Sequence, residues 1–104
     1  MTDLIIQKIE EKFKVPERVA DKVKNIAEKM RSSYILYETR PAWSDNTKPW
    51  TKLTVAKLTF VKNSNIWKLY WMRASGKWEL YAKRKSFRAV LNEIEKDKYG
   101  CFWG

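Results

Sequence analysis

Two tyrosines and a group of cations in the middle of the chain have the types and spacing to do chemistry. Within VAKLTFVKNSNIWKLYWMRASGKWELY, Tyr70 and Tyr81 offer flat π-faces, and Lys57, Lys68 and Lys77 stand at alternate positions that put an ammonium beside them. Rings of this kind stack nucleobases, and neighbouring ammonium groups neutralise phosphates. A second cationic feature, Lys83-Arg84-Lys85, directly precedes Ser86, which is suited to cap a helix. Three cations there oppose the helix dipole, whereas a phosphate at the free backbone N–H groups would relieve the conflict. The chemistry implied is binding of nucleic acid. The plainer reading is a solvated basic loop and an ordinary exposed sheet face, since Tyr fits a half-buried pleat and Lys discourages edge pairing.

Catalysis has less to work with. Histidine is absent and Cys101 is the single cysteine, so the sequence holds no internal disulfide, His-dependent triad or cysteine-based zinc set, and no cofactor is expected. Outside the expected helices the carboxylates are Glu38, Asp45, Glu79 and Asp97. A metal-dependent nuclease would need at least two of these to converge with a lysine, and Glu38-Thr39-Arg40 with Lys57 is the best such group. The competing expectation is an ion pair between Glu38 and Arg40. Cys101 has no base to activate it and is expected in the core, where burial raises a thiol pKa. The chain therefore reads as a non-enzymatic binding protein. A protein-interaction or homodimerisation module, built on Trp43, Trp50, Tyr70, Met72 and Tyr81, is the alternative, because aromatic residues and Met are favoured in interface cores.

The net charge of +10 favours an anionic partner. Its location matters more: residues 33–85 carry 11 basic and 3 acidic groups, so the excess belongs to the region expected to form the sheet. At 104 residues a single domain, 1–104, is expected. No apolar run is long enough to span a bilayer, and the first residues lack the basic leader of a secretory signal. A cytoplasmic protein without a membrane partner is the expectation.

The elements that must position these residues follow from periodicity. Ile5, Ile9 and Phe13 predict a helix over 3–13, started by Thr2 or Asp3. Val19, Val23, Ile26, Ala27 and Met30 predict a second helix beginning at Pro16. Residues 33–40, 53–62, 66–73 and 77–82 read as four strands of an antiparallel meander. A four-residue loop, 62–65, sets Phe60 opposite Trp67 and Leu58 opposite Leu69. A two-residue Ser75-Gly76 turn sets Tyr70 opposite Tyr81. Alternation then gives an apolar face with Trp67, Leu69, Trp71, Trp78 and Leu80, and an amphiphilic face with Val55, Lys57, Lys68, Tyr70, Lys77 and Tyr81. Trp43 and Trp50, in a loop with two prolines, are expected to fold back over one end of the core. Phe87, Val90, Leu91 and Ile94 predict a C-terminal helix stopped at Gly100, with the apolar ending tucked inward. The expected fold is α+β: two N-terminal helices, a four-stranded antiparallel sheet and a C-terminal helix, with the helices on one sheet face.

Arg40-Pro41-x-Trp43, Val55-Ala56-Lys57 with Phe60, Trp67-x-Leu69-Tyr70-Trp71-Met72-Arg73, Lys77-Trp78-x-x-Tyr81 and the closing Phe102-Trp103-Gly104 together resemble an uncharacterised bacterial family, domain of unknown function 3024. The resemblance covers most of the chain. It implies a small, stand-alone bacterial protein and contributes no catalytic residues.

Overall fold

The computed structural model describes residues 3–19, 22–40 and 51–103, which leaves Trp43, Trp50 and Asp45 outside the described residues. The first helix, α1 (Leu4–Lys12), begins where Asp3 accepts a hydrogen bond from the Ile5 N–H at 2.8 Å. The second carboxylate oxygen of Asp3 accepts from the Tyr34 hydroxyl at 3.0 Å, tying the cap to the sheet. Ile9 and Phe13 are buried on the inner side of this helix. Among the described residues no helix is long and apolar enough to cross a membrane.

The expected second helix does not form. A short 3-10 turn, Glu17–Val19, is followed by a strand, β1 (Lys24–Met30), which pairs antiparallel with β2 (Ser33–Arg40) through a two-residue loop holding Arg31 at φ 58°. The apolar residues at helical spacing are thereby divided between two faces, and Ala27 is the one buried residue of the strand. Tertiary pairing wins because Ile35 and Leu36 are both buried, and a buried strand cannot leave its backbone donors and acceptors without partners. The outer edge of β1 is partly closed by α1: the Glu10 carboxylate accepts the Ala27 N–H at 3.1 Å, and the Asn25 side chain donates to the Phe13 carbonyl at 2.7 Å. Such cover limits edge-to-edge pairing.

Three further strands, β3 (Thr51–Val61), β4 (Ile66–Met72) and β5 (Trp78–Arg84), complete a five-stranded antiparallel sheet in the order β1-β2-β3-β4-β5. The β3–β4 register is the expected one: Val61 faces Ile66, Phe60 faces Trp67 and Leu58 faces Leu69 across the loop 62–65, with Asn65 at φ 54°. The β4–β5 register differs by one residue. The Arg73 N–H donates to the Lys77 carbonyl and the Gly76 N–H to the Arg73 carbonyl, both at 2.9 Å, which closes a three-residue loop over 74–76 with Gly76 at φ 85°. A turn followed by one left-handed residue is the usual three-residue hairpin, and glycine supplies that last position without steric cost. Met72 consequently faces Trp78, and Tyr70 faces Leu80 rather than Tyr81.

Two irregularities adjust the faces further. Opposite Leu36 and Tyr37 the register steps from Ala56 to Thr54, and opposite Leu69 and Tyr70 it steps from Ala82 to Leu80. Each bulge leaves one unpaired residue, Val55 and Tyr81, and both join the apolar side: Val55 is buried and Tyr81 packs against the core. The expectation that Val55 and Tyr81 lie on the amphiphilic face is therefore corrected, as is the placement of Trp78 and Leu80 on the apolar one.

The final helix, α2 (Phe87–Lys96), is capped by Ser86, whose hydroxyl accepts from the Ala89 N–H at 3.1 Å. Val90, Leu91 and Ile94 are buried, Phe87 meets the Trp67 ring at 5.0 Å, and Lys12 pairs with Glu95 at 3.0 Å, so both helices cover the same side of the sheet. The chain then turns at Asp97, φ 43°, whose two carboxylate oxygens accept the N–H groups of Phe102 and Trp103 at 2.9 Å each. The Trp103 indole donates to the Ile94 carbonyl at 3.1 Å, and Phe102 is buried, so the apolar ending tucks inward as expected. Hydrogen bonds to a charged acceptor contribute about 1.5–3 kcal/mol each. Asp97→Ala, which removes two such bonds, should therefore lower the urea-derived unfolding free energy by about 3–6 kcal/mol, with Asp97→Asn less costly because it keeps one acceptor and tolerates a left-handed backbone. An alanine variant as stable as the parent would contradict this account of the tail.

Candidate nucleic-acid interface

Both helices lie on one side, and no described helix packs on the opposite, open face of the sheet, where Ile35 and Thr39 of β2 are nonetheless buried. Alternation and register place two rows across its β3–β5 half. In the first, Lys57 of β3 faces Tyr70 of β4, which faces Leu80 of β5. In the second, Thr59 faces Lys68, which faces Lys83. Trp78, opposite Met72, closes the patch at the hairpin end. The Lys57 ammonium stands 5.1 Å from the Tyr70 ring centre and 5.9 Å from that of Trp78, so one cation lies on two aromatic faces. Towards β2, the Lys52 ammonium stands 5.2 Å from the Tyr37 ring, brought to this face by the bulge at Val55.

Of the residues expected to act together, Lys57, Lys68, Tyr70 and Lys83 do share this face. Lys77 lies between the hairpin loop 74–76 and the start of β5, opposite Arg73, with its side chain exposed. Tyr81 is on the other side, its ring 5.0 Å from Phe102 and 6.3 Å from Tyr99. Arg84 also points to the helix side and pairs with Glu93 of α2 at 3.4 Å, while Lys85 lies past the end of β5. The basic triplet is thus divided by strand alternation: its first two members emerge on opposite faces, because Lys83 and Arg84 belong to β5 rather than to a loop. The sequence pattern puts Tyr81 on this face and Trp78 and Leu80 on the other, the reverse of what is found, and it gives no sign of Tyr37 and Lys52. The signal for Trp78 was the loop length before it, and no periodicity marks the bulge that brings Lys52 round.

A family model described as Domain of unknown function (DUF3024) matches residues 2–104. The chain belongs to this family. No curated protein and no solved structure matches it significantly. Membership agrees with the resemblance carried by the Trp-x-Leu-Tyr-Trp-Met segment of β4 and the terminal Phe-Trp-Gly. In this DUF3024 member the first of those motifs builds both faces at once, Trp67, Leu69 and Trp71 inward and Lys68, Tyr70 and Met72 outward.

The lysines of the open face differ in how they are compensated. Lys52 pairs with Glu28, and that carboxylate holds its ammonium above the ordinary lysine value. Lys68 and Lys83 stand directly opposite each other, and among the described residues neither has a carboxylate at ion-pair distance. The carboxylates considered for catalysis lie elsewhere. Glu38 pairs with Arg40 at 2.9 Å and Glu79 with Arg73 at 3.6 Å. Two strands separate β2 from β5, about 14 Å at the usual strand spacing, so Glu38 and Glu79 do not converge. Asp97 is committed to the tail, and no group of three His, Cys, Asp or Glu able to hold a metal occurs among the described residues. Burial pushes the Cys101 thiol up, with Asp97 and Glu79 adding to the effect, so it stays protonated near neutrality.

Like charges directly across a strand pair are destabilising, by the same few tenths to about 1 kcal/mol that opposite charges contribute. Lys83→Glu should accordingly raise the thermal unfolding midpoint of the free protein in low salt, with the gain shrinking as salt is added. An unchanged or lower midpoint would show that Lys68 and Lys83 do not repel one another.

Proposed function

We propose that this chain binds nucleic acid through the open face of its sheet and performs no catalysis there. The observation that carries the reading is the uncompensated Lys68–Lys83 pair beside the Lys57–Tyr70–Trp78 group. Two opposed cations with no carboxylate between them are costly in the free protein and become favourable when a phosphate lies over them. Stackable rings lie within the same patch, and the excess of basic residues falls in the segment that forms it. Lys57, Lys68, Tyr70 and Lys83 remain in the proposed interface, with Trp78 added. Lys77 and Lys85 lie at its margin, and Tyr81 and Arg84 serve the helix side.

Leu80 is 43% exposed beside Tyr70, which supports a second reading in which a copy of the chain or another protein covers this face. Lys57 weighs against it: an apolar partner seated on Tyr70 and Trp78 would desolvate an ammonium without offering an anion.

Fluorescence anisotropy with labelled oligonucleotides separates the two readings. Binding should be present at low salt and weaken linearly on a log–log plot. Lys68→Gln with Lys83→Gln should reduce that slope by about 1–2, close to one for each phosphate that is no longer neutralised. Arg88→Gln, on the helix side, should leave it nearly unchanged. Absence of binding at low salt, together with salt-insensitive self-association in sedimentation, would replace the nucleic-acid reading with the dimer.

A further inference from the structure

The arrangement of rings and cations on the open face also bears on the form of nucleic acid it accepts. We infer that the ligand is a single strand, held with a base stacked on the Tyr70–Trp78 platform and a phosphate over Lys68 and Lys83, an inference that rests on the nucleic-acid reading above. Duplex DNA is read by a helix or a two-stranded ribbon entering the major groove, and here both helices pack on the far side of a five-stranded sheet. What the face presents instead is a pair of half-buried rings, Tyr70 and Trp78, with the Lys57 ammonium 5.1 Å from the first ring centre and 5.9 Å from the second.

A base in a duplex has both faces covered by its neighbours, so these rings are useful only to an unpaired one. Lys57 then has two roles. In the free protein it sits over the rings, and when a base takes that place its flexible stem lets the ammonium swing to the adjoining phosphate. Lys68 lies two residues before Tyr70 on the same strand and face, about 6.6 Å away at the usual rise per residue, so ring and cation pair fall within one nucleotide of each other. A register that sets Tyr70 opposite Tyr81 would also set Lys68 opposite Lys83, but it would turn Trp78 to the helix side and leave Tyr70 without its partner in the platform.

The test compares four probes of equal length on the intact protein: single-stranded DNA, single-stranded RNA, the matching duplex, and a single strand with abasic positions at its centre. The single strands should bind about tenfold or more tightly than the duplex, and the abasic strand should lose a similar factor while keeping the same salt dependence. Trp78→Ala and Tyr70→Ala should each erase most of the preference for bases, and Trp78→Phe should retain it. The phenylalanine variant and the abasic probe keep the result decisive if an alanine variant folds poorly. Equal affinity for all four probes would overturn this inference and leave electrostatic nucleic-acid binding standing. Failure of every probe to bind at low salt would overturn both.

Discussion

The face on which each side chain of β5 emerges is set by the length of the loop that starts it. Strand side chains alternate with a period of two, so one residue more or less in a hairpin loop exchanges the two faces of everything that follows until a bulge restores the phase. Here Gly76, in a left-handed conformation, makes a three-residue loop. Trp78 and Leu80 are delivered outward, and the bulge at Tyr81 then returns Tyr81, Ala82 and Arg84 to the side of α2. The bulge at Val55 acts in the same way on β3, burying one more apolar side chain and turning Lys52 to the open face. Both bulges enlarge the core under the helices and leave a denser aromatic and cationic group on the side away from them.

Core and surface are therefore coupled through the backbone. Leu58 and Leu69 face each other and are fully buried beneath α1 and α2. Their neighbours Lys57, Lys68 and Tyr70 cannot share that side, so the packing that stabilises the sheet also fixes the positions of the cations. The cost appears in the Lys68–Lys83 pair. A sheet optimised only for stability would place an acidic residue at one of those positions. The cations of the helix side are treated differently, with Lys12 given Glu95 and Arg84 given Glu93.

Much of the fold was legible in local chemistry. The run SYILYETR has the residues of a strand and is one from Ser33 to Arg40, and Asn63-Ser64-Asn65 marks the turn that fixes the β3–β4 register. Ser86 and the stripe Phe87, Val90, Leu91, Ile94 mark the start and buried face of α2, whereas its end comes at Lys96, before the expected stop at Gly100, because Asp97 takes the left-handed turn. The segment forming β1 was not legible, because Val19, Val23, Ile26, Ala27 and Met30 repeat at helical spacing and only the unsatisfied edge of β2 makes a strand of the last three. The site was half legible. Lys57, Lys68 and Tyr70 follow from alternation within one hairpin, whereas Trp78 and Tyr81 depend on a choice between a two- and a three-residue loop. Ser75-Gly76 suits either. Bulges leave no mark in a single sequence, so the positions of Val55 and Lys52 needed the structure.

Nuclear magnetic resonance titration of the isotope-labelled protein with a short oligonucleotide tests the central claim most directly. The amides of Lys57, Lys68, Tyr70 and Lys83 and the indole N–H of Trp78 should shift together. The indole of Trp103, bonded to the Ile94 carbonyl, and the amides of α1 should stay in place. Shifts confined to α1, α2 or the hollow around Tyr81 and Tyr99, with the open face unchanged, would contradict the assignment of that face as the binding surface.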